Sequence, residues 1–101
     1  MIEPIKPTDE QARLNELRSL ALLDTLPEDR FDRITRTARR LFGVKTALVS
    51  LIDADRQWFK SVQGLDASEL PRGISFCGHA ILREGAFIVE DTAVDLRFAD
   101  N

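Results

Sequence analysis

The 101 residues are 44% hydrophobic and 31% charged with 5 Gly and 4 Pro, the composition of one globular domain or part of one, which excludes a disordered or fibrous chain. The 14 basic against 17 acidic residues give a net charge of -3, so no positive field draws in a phosphate backbone and nucleic acid is not an expected partner. A single Cys excludes an internal disulfide, no apolar run approaches the roughly 18 residues of a membrane span, and Met1-Ile2-Glu3-Pro4 lacks the pattern of a secretory leader; the cytoplasm is the expected compartment, without direct membrane insertion.

The first predicted element is a helix over residues 8–23. Thr8 and Gln11 have the spacing of a capping box, and Leu14, Leu17 and Ala21 share one side with Leu20 at its edge. A second helix is predicted over residues 27–42. Pro27 suits its first turn, Glu28 and Asp29 face the positive end of its dipole, and Gly43 stands where a C-terminal cap belongs. Its apolar stripe of Phe31, Ile34, Ala38 and Leu41 is expected to face the core. Arg33, Arg36 and Arg40 lie on the other side, where Asp29/Arg33 and Asp32/Arg36 have i,i+4 spacing, and a solvated face outweighs a basic docking surface.

A hairpin is predicted over residues 45–64. Its first strand is apolar on both faces and is expected to be central, with Ser50 as a polar interruption whose hydroxyl requires a partner. Asp53-Ala54-Asp55-Arg56 supplies the turn. The returning strand carries Trp58, Phe59 and Val62, and alternation allows at most one of Trp58 and Phe59 to face a pocket. Residues 65–73 read as a loop, 74–82 as a short helix or turn forming a pocket segment, and 86–90 as a short strand before a polar stretch with Val94, Leu96 and Phe98.

Several strings together carry a family resemblance: Leu23-Asp24-Thr25 followed by Pro27, Phe31-Asp32-Arg33-Ile34, Leu41-Phe42-Gly43, Ala47-Leu48-Val49-Ser50-Leu51-Ile52-Asp53, Asp55-Arg56-Gln57-Trp58-Phe59-Lys60, Ser75-Phe76-Cys77-Gly78-His79-Ala80-Ile81 and Asp95-Leu96-Arg97-Phe98-Ala99-Asp100-Asn101. From about Ala12 onward the chain resembles the GAF domains at the front of bacterial signalling proteins. The resemblance implies an α+β fold, an antiparallel sheet with helices on one face and a ligand pocket on the other, and it implies that this chain is the N-terminal portion with its C-terminal strands absent, either a trimmed fragment or one whose missing edge another chain supplies. It also implies a regulatory small-molecule-binding sensory module, homodimeric, joined to an output domain such as a kinase or a cyclic-dinucleotide enzyme, with the ligand and any cofactor unidentified. Ser50, Phe76, Cys77, His79 and Asp91 are the expected ligand-binding residues.

Cys77 and His79 raise the question of chemistry. A zinc site needs about four ligands, and the chain has one Cys and one His. On a helix, residues two apart point to nearly opposite sides, too far apart for the imidazole to activate the thiol, whereas an extended segment would put both on one face. Some GAF domains reduce free methionine sulfoxide with several cysteines, and others attach a bilin through an adjacent Cys-His pair; Cys77-Gly78-His79 matches neither pattern. No catalytic residue and no metal site are therefore expected, and a buried structural Cys outweighs a pocket-lining one. The main alternative is a ligand-free dimerisation module pairing helices through Leu14, Leu17 and Ala21; a Cys77-centred redox enzyme and a bilin photosensor are the weaker ones.

Overall fold

The computed structural model describes residues 2–89. In chain order it contains α1 (Glu10–Ser19), α2 (Asp29–Phe42), β1 (Ala47–Ile52), β2 (Arg56–Gln63), β3 (Glu69–Pro71), a 3-10 turn (Arg72–Ile74) and the short helix α3 (Phe76–Ala80). The strands form one antiparallel sheet in the order β1-β2-β3, so the architecture is α+β.

Helix α1 is shorter than the helix-forming run suggests. Its N-cap is Asp9, with no side-chain cap bond, and Gln11 donates to Asn15 instead of closing a capping box with Thr8. The helix ends at Ser19, and Ala21 and Asp24 adopt left-handed φ values of 54 and 59 degrees. Tertiary bonds override propensity here. The Arg56 guanidinium grips the Asp24 carboxylate at 2.8 and 2.7 Å, and the Lys60 ammonium donates to Thr25 Oγ1 at 2.7 Å and Leu26 O at 2.6 Å. Both pull the segment after α1 toward β2. Leu14 and Leu17 are buried within the chain, whereas Ala21 lies outside the helix, so the expected Leu14/Leu17/Ala21 stripe is no surface for pairing with another copy.

At the start of α1, Glu10 joins three elements. Its carboxylate accepts from Arg13 Nε and from Arg72 Nη1, each at 2.6 Å, while Arg13 Nη1 donates to Ile52 O at 2.6 Å. These hydrogen bonds, from Arg13 first and Arg72 second, hold the Glu10 carboxyl at about 2, far below its ordinary 4.5.

Helix α2 starts after Glu28 in extended backbone and stops at Gly43, whose φ of 61 degrees ends the helix with an amide bond back to Arg39 O. The face it buries centres on Thr35; of the expected stripe Phe31 and Ala38 are half-buried and Ile34 and Leu41 are open. Thr35 is 1% exposed, whereas Ile34 is 57% and Leu41 73% exposed. Polar pairing sets this rotation. The Ser61 hydroxyl donates to Asp32 Oδ1 at 2.6 Å and lies 2.8 Å from Thr35 Oγ1, and Gln63 Nε2 donates to Thr35 Oγ1 at 3.3 Å. Asp32 is thereby committed to the sheet, and Arg36 pairs with Asp29 rather than with Asp32; Arg33 pairs with Asp29 as well.

β1 pairs with β2 through a register that shifts between Val49 and Ser50: Val49 opposes Ser61, while Ser50 opposes Phe59. Lys60 is the extra residue of a β-bulge. Its side chain is 1% exposed and follows Ser61 to the α2 side, where Nζ also reaches Glu28 Oε2 at 2.8 Å. Trp58 and Phe59 are both buried, on opposite faces.

Three expectations change. β1 is half-buried along most of its length and lies at the edge of the described sheet, with β2 central. Residues 69–71, read as loop, form β3 through the pairs Arg56/Pro71, Gln57/Leu70 and Trp58/Glu69; a strand this short ending in Pro carries no alternating pattern to detect. Residues 86–89 form no strand, and Glu90, Val94, Leu96 and Phe98 lie outside the described residues.

Two measurements check this packing. Thr35→Val should destabilise the chain by about 1–3 kcal/mol, by removing a buried hydroxyl that serves two side chains, whereas Ile34→Asp on the open face should cost under about 0.5 kcal/mol. Urea denaturation of both variants reports the order; a larger loss for Ile34→Asp would reverse the assigned faces. Because the Glu10 carboxyl is depressed in the folded state, its contribution is present above its ordinary 4.5 and fades as pH falls through about 2. The stability gap between the wild type and Glu10→Gln should therefore be full at pH 5 and shrink toward pH 2, and a gap independent of pH would remove Glu10 from that role.

Candidate functional site

On the sheet face opposite α2, three side chains converge. Gln57 Nε2 donates to Ser50 Oγ at 3.1 Å and to Cys77 Sγ at 3.1 Å, and the Ser50 hydroxyl donates to the same sulfur at 3.5 Å. Ser50 comes from β1, Gln57 from β2 and Cys77 from α3. The bulge at Lys60 makes the meeting possible: it puts Phe59 opposite Ser50, and Gln57, two residues away, therefore shares their face. Were Lys60 paired in regular alternation instead of bulged, Gln57 would point toward α2.

Local chemistry positions α3. Ser75 is 1% exposed; its hydroxyl donates to Arg72 O at 2.8 Å and accepts from the Gly78 amide at 2.9 Å, which joins the 3-10 turn to the helix as one unit. Cys77 then faces β1 and β2. His79 is buried on another side, where Nε2 donates to Ile2 O at 2.9 Å.

The five expected site residues accordingly separate. Ser50 and Cys77 come together, His79 binds the N-terminal segment, Phe76 is 42% exposed, and Asp91 lies outside the described residues. Gln57 was not anticipated. A polar residue two places before Phe59 in the returning strand is the available signal, but the bulge hides its face. Arg72, buried with Nη1 on Glu10 Oε2 and on the carbonyls of Asp53 and Ala54, was also missed because it sits in a segment that reads as loop.

The cluster holds uncharged donors and acceptors around a half-buried thiol, an arrangement suited to hydrogen-bonding a polar small molecule. Among the described residues no group of three or more His, Cys, Asp and Glu side chains is placed to hold a metal ion, and no helix is long and apolar enough to cross a membrane. Open cavities lie elsewhere among the described residues. One of about 510 Å³ opens between the arginines at the end of α2 and Gln63, and one of about 340 Å³ runs along Ile34, Ala38 and Leu41.

Comparison with known proteins agrees with this architecture. A cyclic di-GMP phosphodiesterase of Pseudomonas aeruginosa is 41% identical over 101 residues, which is all of this chain and 17% of that protein. The chain thus spans about a sixth of that relative's length. The family model of the GAF domain matches residues 26–101, and with a helix-backed antiparallel sheet carrying a polar cluster on its other face, the chain belongs to the GAF domain family.

Proposed function

We propose that this chain is the regulatory, small-molecule-binding sensory module of a bacterial signal-transduction protein, acting on an output domain and performing no chemistry itself. The observation that carries the reading is the convergence of Ser50, Gln57 and Cys77 on one sheet face, drawn from three separate elements. A ligand exchanging hydrogen bonds with that cluster contacts β1, β2 and α3 at once and favours one packing of α3 over another, which is the differential affinity that signalling requires. Phe76 at the start of α3 and Asp91 beyond it complete the proposed ligand set, with His79 acting through its hold on the N-terminal segment. Family membership and the name of the Pseudomonas relative support a place beside a cyclic-dinucleotide enzyme, with the catalytic work done in another part of such a protein.

A second reading, a dimerisation module, is favoured by a different observation. Ile34, Leu41 and Phe42 are exposed on α2, and β1 is an edge strand among the described residues, so both apolar surface and strand backbone are open.

Thermal melting against a panel of small metabolites that includes cyclic nucleotides tests the first reading. A binder present at about 100 times its Kd should add about 2.7 kcal/mol of stability, and Ser50→Val or Gln57→Leu should abolish the shift. Absence of any shift across the panel, together with mass that rises with concentration in sedimentation, would replace the ligand-binding reading with the dimerisation module.

A further inference from the structure

Residues 2–7 precede α1 without helix or strand, and they lie outside the span matched by the family model. They nonetheless rest on the unit that carries Cys77. Ile2 O accepts from His79 Nε2 at 2.9 Å. Pro4 is the buried member of the segment and presses on Gly78: a Cβ at that position would stand 2.7 Å from Pro4 Cγ. Glu3 lies against Gly73, with its Oε1 3.1 Å from where a Cβ would be. Glycine at 78 is therefore what allows the close approach.

Helix α3 has five residues, too few to hold its shape alone, so its contacts decide where it sits. One side is held by Ser50 and Gln57 through Cys77, and another by the N-terminal segment through Gly78 and His79. The second grip is weak. Ile2, Glu3, Ile5 and Lys6 are exposed, and the Lys6–Asp55 ion pair is long at 3.9 Å and open to solvent. Beneath the segment lies a cavity of about 120 Å³ walled in part by Glu3, Pro4, Arg72 and Gly73. Arg72 Nε and Nη2 are buried and have no hydrogen-bond partner among the described residues. Among the described residues, the few bonds to the segment, its one buried side chain and the unsatisfied polar atoms below describe a segment with a low cost of local opening.

We propose that residues 2–7 form a releasable strap that clasps the 3-10 turn and α3, so that its docking sets the packing of Cys77 against Ser50 and Gln57. The strap and any molecule at the Ser50–Gln57–Cys77 face are then coupled through α3, each altering the other's affinity by the same factor. The coupling needs no ligand to be observed, and it stands or falls independently of the sensory reading.

Cys77 is the single thiol of the chain and reports the packing directly. Its rate of reaction with Ellman's reagent is measured in the wild type, in Pro4→Asp, in Gly78→Ala, and in a chain starting at Thr8, with amide hydrogen exchange and melting curves beside it. Gly78→Ala also crowds Ser75 Oγ at 2.8 Å, so Pro4→Asp and the shortened chain separate strap release from damage to the cap. Cys77 should label about tenfold faster in the shortened chain and in Pro4→Asp, with a cooperative melt retained, since a tenfold rise in the open population is a change of about 1.4 kcal/mol. An unchanged or slower rate in the shortened chain would overturn the proposal. Loss of the cooperative melt in the shortened chain and in Pro4→Asp would overturn it too, by showing that residues 2–7 are part of the core.

Discussion

The Lys60 ammonium lies within 2.6 to 2.8 Å of three oxygens, Leu26 O, Thr25 Oγ1 and Glu28 Oε2, with its side chain 1% exposed. Three N–H donors meet three acceptors, one of them charged, so the buried cation is fully satisfied. Removing Glu28, the charged partner, would leave an ammonium less well compensated away from water. Much else depends on this contact. It turns the chain after α1, fixes the residue that caps α2, and stabilises the bulge that lets Gln57 face Cys77.

A second polar set, Asp32, Thr35, Ser61 and Gln63, orients α2 on the sheet. The two sets adjoin along β2 and together make the helix–sheet interface a hydrogen-bonded one. Ile34 and Leu41 of the apolar stripe of α2 are left outward as a result, and the side of the sheet facing α3 is left for shorter-range polar contacts. One arrangement thus accounts for both the unusual exposure of Ile34 and Leu41 and the location of the candidate site.

Much of the fold was legible because local chemistry and tertiary structure agree where signals are strong. Gly43 ends α2 where its left-handed φ is required, Glu28 and Asp29 mark the other end, and the Asp-rich turn joins β1 to β2. Ser50 was singled out because a hydroxyl inside an apolar strand must find a partner, and it found Gln57 and Cys77. Other features were not legible. Helix propensity favours Leu20 to Leu23 continuing α1, and only Lys60 and Arg56, more than 30 residues away, forbid it. The rotation of α2 was misread because hydrophobicity ranks Ile34 above Thr35, whereas the hydrogen bonds of Thr35 decide the buried face. His79 stood beside Cys77 in sequence but binds Ile2, 77 residues away, a pairing with no local signature.

The bulge at Lys60 behaves as a change of phase. On one side of it the odd-numbered residue Gln57 looks toward α3, and on the other the odd-numbered Ser61 and Gln63 look toward α2. Loss of Lys60 itself would straighten the strand and leave its other faces as they are, whereas a one-residue insertion or deletion between Gln57 and the bulge, with the Ser61 register kept, would turn the Gln57 half over and alter what the site presents without any substitution in it. Recognition in such domains can therefore diverge by insertion and deletion in a strand that, read residue by residue, looks unchanged.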